Sequence, residues 1–156
     1  DLVDRIRGEV PNVTLSTDII VGFPGETRED FEATLSLLER VRYHSLFSFK
    51  YSVRPNTLAS KRMADDVTEA EKTGRIMALQ AAQKRIQAEL LQAMVGTVEE
   101  VLVDATSRRR AWEVSGRTSG NTIVNFAGGQ ELTGSLVPVR ITEAAPNSLR
   151  GELATG

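Results

Sequence analysis

The chain has 156 residues, a formal net charge of -2, one histidine and no cysteine. That length holds one core or two small ones. Without cysteine the chain can form no disulfide, zinc–thiolate site or thiolate-held iron–sulfur cluster, and its near-neutral balance excludes overall attraction to nucleic acid or anionic membrane, while leaving room for a local basic face.

The opening DLVDRIRGEVPN lacks an initiator methionine and the basic and apolar stretches of a secretory signal. It reads as a helix entered midway, with Leu2 and Ile6 on one face and Pro11 and Asn12 ending it. The expectation is a piece of a longer, cytoplasmic protein. No apolar run reaches the roughly 20 residues that span a bilayer. VTLSTDIIVGF then becomes continuously apolar at Ile19 to Val21, which suits a strand covered on both faces. Gly22, Pro24 and Gly25 make a turn. Thr27 with Asp30 three residues on resembles a capping box, and Phe31, Leu35, Leu38 and Val41 follow at helical spacing. SLFSFKYS gives a second strand, Leu46 to Tyr51. Strand, helix, strand implies a parallel βαβ unit, and ligands in such folds sit at the strands' C-terminal ends.

A loop over Arg54 to Asp66 follows. Asp66 or Thr68 caps a helix that runs to about Met94, with Ile76, Leu79, Ile86 and Leu90 on one stripe and Gln80, Lys84 and Gln87 more exposed. Gly74 weakens that helix and suggests a close contact. The heptad is too ragged to argue a coiled coil. Beyond Gly96, five short strand-like pieces are split by Gly, Asn and Ser turns, the pattern of a small closed barrel. The divisions are therefore 1–65, an α/β portion; 66–95, a linker helix; and 96–156, a five-stranded antiparallel OB-like barrel.

The turn Gly22-Phe23-Pro24-Gly25-Glu26-Thr27 has neither the Gly-Lys-Ser/Thr ending of a phosphate loop nor GxGxxG. What it offers is backbone amides and a helix N-terminus. Asp18 is either bonded to nearby backbone or a pocket residue. His44 has no partner pattern for a triad. Glu26, Glu29, Asp30 and Glu32 read as capping and solvation. Lys50, Tyr51 and Arg54 leave a strand's C-terminal end, either as a solvated loop or as a pocket mouth. In the barrel, Arg108, Arg109, Arg110, Arg117, Arg140 and Arg150 provide cations, and Trp112 and Phe126 either stack bases or fill the core. RNA binding and protein docking both fit.

LSTDIIVGFPGETREDFEATLSLLERVRYHSLFSFKYSVRPNTLAS closely resembles the late part of the radical-SAM domain of bacterial tRNA methylthiotransferases. SGRTSGNTIVNF and LVPVRITEAAPNSLRGEL resemble the TRAM domain that ends them. Within the family, Thr17-Asp18, Phe47-Ser48-Phe49, Arg54-Pro55 and Pro146 to Leu149 best resemble the branch acting on isopentenyladenosine-37; the threonylcarbamoyladenosine and ribosomal-protein branches are the alternatives.

The resemblance implies S-adenosyl-L-methionine and two [4Fe-4S] clusters in the full-length enzyme, with none held by this segment alone. It implies the last part of a partial TIM-type (β/α) barrel, and the tRNA anticodon stem-loop as partner. By motif it places Gly22 to Thr27 near the cofactor side, and Tyr51, Ser52, Arg54, Pro55 and Thr57 at the active-site mouth; Asp18 and Lys50 join these two groups as candidates from their own positions. Asn56 stands where the family commonly has glycine, Leu58 where it has proline, and Lys61-Arg62 where an acid is frequent. Gly116, Arg117, Thr118, Asn121, Val124 and Phe126 match the TRAM signature, and Asn147, Ser148, Leu149 and Gly151 its last strand. Arg108 to Arg110, Arg117, Arg140, Asn147 and Arg150 are the expected RNA contacts. No membrane role is implied; exposed barrel edges suggest a dimer or strand exchange.

Overall fold

The computed structural model describes residues 2–106 and 112–154. Their elements are α1 (Leu2–Glu9), β1 (Ser16–Val21), α2 (Arg28–Val41), β2 (Ser45–Lys50), α3 (Leu58–Arg62), α4 (Glu69–Ala93), β3 (Val98–Thr106), β4 (Glu113–Thr118), β5 (Ile123–Ala127), β6 (Leu136–Ala145) and β7 (Ser148–Leu153). They form two compact units, one of residues 15–86 and one of residues 1–14 with 87–156. Helix α4 contributes its first five turns to the former and its last turns to the latter.

In the α/β unit, β1 and β2 pair in parallel from Ser16–Ser45 to Val21–Lys50. The crossover is α2, whose start is a full capping box: Asp30 N–H donates to Thr27 Oγ1 at 3.1 Å, and Thr27 N–H to Asp30 Oδ2 at 3.0 Å. Val21, Leu38, Val41, Leu79 and Ile86 are buried. The expectation of a strand covered on both faces is corrected here. Ile20, Phe47 and Phe49 are 52%, 61% and 54% exposed, because within this unit apolar cover reaches only one side of the two-stranded sheet. Side chains alternate along a strand, so the other side stays open.

Segment 58–62, read from sequence as loop, is the short helix α3, capped by Thr57, whose Oγ1 accepts the Ser60 N–H at 3.2 Å. Asn56 before it has φ 67° and takes the left-handed geometry that glycine would take. Thr68, not Asp66, caps α4: its Oγ1 accepts the Glu71 N–H at 3.2 Å, and Glu71 accepts the Thr68 N–H at 3.0 Å.

The second unit is a closed five-stranded barrel in the order β3-β4-β5-β7-β6. Its strands match the five sequence pieces, but the all-antiparallel expectation is corrected: β5 and β7 run parallel, from Val124–Leu149 to Phe126–Gly151. An odd number of strands cannot alternate direction all the way round a closed ring, so one neighbouring pair must be parallel. Bulges between Val103 and Ala105 and between Ile141 and Glu143 supply curvature. The core alternates along the strands, with Val101, Val103, Val124, Phe126, Val139 and Ile141 inside, and Leu91 of α4 joins them. Gly116 and Gly151 have no room for a side chain. A Cβ on Gly116 would strike the Leu102 carbonyl, and one on Gly151 the Arg140 carbonyl. Gly74, expected to mark a close contact, instead faces open space.

These environments predict opposite signs for one substitution. Gly74→Ala should stabilise α4 by about 0.8–1 kcal/mol. Gly116→Ala and Gly151→Ala should each destabilise the barrel by about 1–3 kcal/mol as strands are forced apart. Urea unfolding of the three variants measures both signs.

Candidate functional site

The turn after β1 is built by two left-handed glycines, Gly22 at φ 69° and Gly25 at φ 83°. Its amides are engaged internally, which corrects the expectation of exposed donors. Gly22 N–H donates to Glu26 Oε1 at 3.0 Å, Gly25 N–H to Asp66 Oδ1 at 2.7 Å, and Glu26 N–H to the Phe23 carbonyl at 2.9 Å. The Thr27 N–H is held by Asp30. Glu26, read from sequence as a solvated acid, is instead paired with Arg75 of α4, whose Nη1 donates to its carboxylate at 2.6 Å and to its carbonyl at 2.9 Å. Both side chains are nearly buried, at 13% and 12% exposure.

A cavity of about 590 Å³ lies at the C-terminal ends of β1 and β2, lined among others by Ile20, Phe23, Phe49, Lys50, Tyr51 and Arg54. It gathers Phe23 from one expected group and Lys50, Tyr51 and Arg54 from the other. Phe23 and Tyr51 meet edge to face, with centroids 5.1 Å apart. The Tyr51 N–H extends the β ladder to the Val21 carbonyl at 2.8 Å. Lys50 is tied to Glu69 and, at 3.4 Å, to Thr73 Oγ1 on α4. Arg54 is exposed. Asp18, Gly22, Pro24, Gly25, Glu26 and Thr27 are not among the lining residues. Pro24 is buried, and Asp18 is exposed opposite Phe47.

Sequence reasoning missed the polar anchors that α4 carries. Lys72 is only 4% exposed at its side chain, and its ammonium bonds both carboxylate oxygens of Asp65, at 2.6 and 2.7 Å. Gln80 donates to Ser48 at 3.1 Å and Gln83 to the Tyr43 carbonyl at 2.7 Å. The available signal was spacing: Lys72 and Gln83 fall on the same stripe as Leu79 and Ile86, where a solvated polar residue has no place. His44 closes the β1 entry, with its backbone N–H donating to the Leu15 carbonyl at 2.8 Å and its Nδ1 accepting from the Leu15 N–H at 3.4 Å.

On the barrel, Arg117, Arg140, Asn147 and Arg150 are exposed. Arg117 donates to Asn121 Oδ1 at 2.9 Å and lies 3.5 Å from Asp104. Arg140 faces Glu152 across the ladder, and Arg150 faces Glu143. Asn147 lies in the β6–β7 turn. Phe126 is core, 2% exposed, whereas Trp112 is 61% exposed. Arg108, Arg109 and Arg110 lie outside the described residues.

Residues 92–154 match the TRAM domain family. The chain is 50% identical over 97% of its length to a tRNA-2-methylthio-N(6)-dimethylallyladenosine synthase of Geotalea uraniireducens, 48% over 99% to one of Acidithiobacillus ferrooxidans, and 45% over 97% to one of Mannheimia succiniciproducens. The chain is homologous to these synthases. It spans about a third of their length, 32–34%, and the barrel that carries the TRAM match lies in one of its two compact units.

The two capping boxes titrate in a defined direction. Hydrogen bonds from Thr27, backbone first and then hydroxyl, hold the Asp30 carboxyl below its usual 3.8. Those from Thr68, hydroxyl first and then backbone, hold Glu71 below its usual 4.5. A carboxylate with a lowered folded-state pKa adds stability that is complete above its ordinary value and is lost as pH falls through the lowered one. The urea midpoint should therefore decline through that acid window, and Asp30→Asn with Glu71→Gln should flatten the decline. An unchanged acid slope in the double variant would remove the boxes as its source.

Proposed function

We propose that the chain is part of a radical-SAM tRNA methylthiotransferase that adds a 2-methylthio group to N6-isopentenyladenosine-37. In this reading the α/β unit supplies a pocket rim, the barrel grips the anticodon stem-loop, and the segment alone is not catalytic. The observation that carries it is identity of 45–50% along 97–99% of the chain to proteins bearing that synthase name. The parallel β1-α2-β2 unit with its uncovered apolar face supports the last part of a larger (β/α) barrel, in which that face turns inward. On this reading the unpaired edges of β1 and β2 receive further strands of the same polypeptide rather than a second copy. The location is cytoplasmic, where tRNA is modified.

The chain's own groups decide which cofactors it can hold. With no cysteine in the sequence it offers no thiolate to a cluster, so the two [4Fe-4S] clusters belong to other parts of the enzyme. The cavity fits S-adenosyl-L-methionine better: Phe23, Phe49 and Tyr51 give it an aromatic lining, with Arg54 at the rim for a carboxylate. When bound, that cofactor supplies the methyl group. The protein's part is to orient the adenine-bearing end and keep water from it. The engaged amides of the Gly22–Thr27 turn argue for a shaping role rather than direct anion binding.

On this reading the exposed Arg117, Arg140, Arg150 and Asn147 of the barrel contact phosphate, which positions RNA without reading its sequence. Titrating the 156-residue chain with an isopentenylated anticodon stem-loop at two salt concentrations tests this. Affinity should fall steeply with salt as counterions are released. Arg150→Ala should lower the slope of log K against log salt by about one. No binding at low salt would overturn the RNA-gripping role.

A further inference from the structure

We propose that Lys72 is the positioning residue of the pocket wall, a role that rests on reading the cavity as the S-adenosyl-L-methionine side of the enzyme. Its side chain is one of the most deeply buried charged groups in the α/β unit. Nothing in the proposed chemistry needs an ammonium there, and the group is sealed against Asp65.

Its contacts join pieces of chain far apart in sequence. The ammonium lies 5.4 Å from the centroid of the Tyr51 ring, on which it acts as a cation over a π face. The same ring meets Phe23 edge to face at an interplanar angle of 73°. The aliphatic stem occupies the space where a Cβ on Gly22 would stand, since such an atom would collide with Lys72 Cγ. One side chain therefore fixes the glycine turn after β1, the aromatic pair lining the cavity and the segment after α3.

Stability alone is a poor reason to keep it. Burying a cation costs desolvation, and a well-packed apolar pair at such sites is often as stable or more so. A lysine does what an apolar residue cannot: it binds the face of Tyr51 while reaching a carboxylate beyond it. That sets the ring plane. A flat purine-bearing ligand reads the plane of an aromatic wall directly, because stacking depends on offset and angle.

The test compares Lys72→Met, Lys72→Arg, Tyr51→Leu and the Lys72→Met/Tyr51→Leu double variant. In the 156-residue chain, amide hydrogen exchange in Lys72→Met should speed up at Gly22, Gly25, Glu26 and Tyr51 and stay at the wild-type rate in the barrel strands, and Lys72→Arg should restore protection. In the full-length enzyme carrying this segment, equilibrium binding of S-adenosyl-L-methionine should weaken roughly tenfold in Lys72→Met, part of the strength of the internal cation–π contact that sets the wall. Tyr51→Leu should lose as much, the double variant no more, and Lys72→Arg should recover most of it.

Wild-type affinity in Lys72→Met, or exchange that speeds uniformly across the chain, would overturn the proposal and leave the function standing. If Lys72→Met does not fold, unchanged affinity in Tyr51→Leu overturns it equally. Failure of the unsubstituted enzyme to bind S-adenosyl-L-methionine would instead bring down the reading of the cavity, and this role with it.

Discussion

The α/β unit depends on two cations that α4 carries out of water. Lys72 and Arg75 lie one turn apart and reach different partners, Asp65 for the first and Glu26, with Glu71 further off at 4.0 Å, for the second. An ion removed from solvent is tolerated only when its lost hydration is replaced by an opposite charge and hydrogen bonds. Here the shortest contacts come from loops rather than from neighbouring helices. The loops are therefore held where the ions need them: Glu26 accepts from the Gly22 amide while it receives Arg75, and the turn cannot open without orphaning a charge. The guanidinium also lies 5.9 Å from the Phe31 ring, which fixes the first turn of α2 to the same point. The cavity wall thus follows from a helix later in the sequence.

The barrel obeys a different constraint. Closure removes unpaired strand edges, which in an open sheet of this size would invite pairing with other chains. Five strands achieve closure only by accepting one parallel pair, β5 with β7, and by bringing backbones close enough that Gly116 and Gly151 carry no side chain. These glycines belong to the stretches that resemble the TRAM signature, so part of that signature is a packing requirement. The exposed Arg117, Arg140 and Arg150 take no part in that packing.

Much of this was legible from residue order. The βαβ unit announced itself through Ile19 to Val21, the Gly22–Gly25 turn and the Thr27–Asp30 box. The five barrel strands followed from alternation and turn residues. What stayed hidden was tertiary. Nothing local says that Glu26 is claimed by a residue 49 positions away or that Gly25 is bonded to Asp66 41 positions on. Helix α3 was missed because Asn56 and Thr57 look like plain loop until the left-handed residue and the cap are seen together. Of the expected site residues, Phe23, Lys50, Tyr51 and Arg54 line one cavity. The other residues of the glycine turn do not line it, and the amides of Gly22, Gly25, Glu26 and Thr27 are spent on holding the turn.

The central claim is that a buried charge on α4 and the turn after β1 stabilise each other. A double-mutant cycle of Glu26→Gln and Arg75→Met tests it, with opening free energies read from amide hydrogen exchange in β1 and β2. Each single substitution should cost roughly 1–3 kcal/mol, because it strips a nearly buried charge of its shortest ionic partner. The double variant should cost clearly less than the sum. Additive losses would contradict the account, since they would mean that the helix and the turn are held independently.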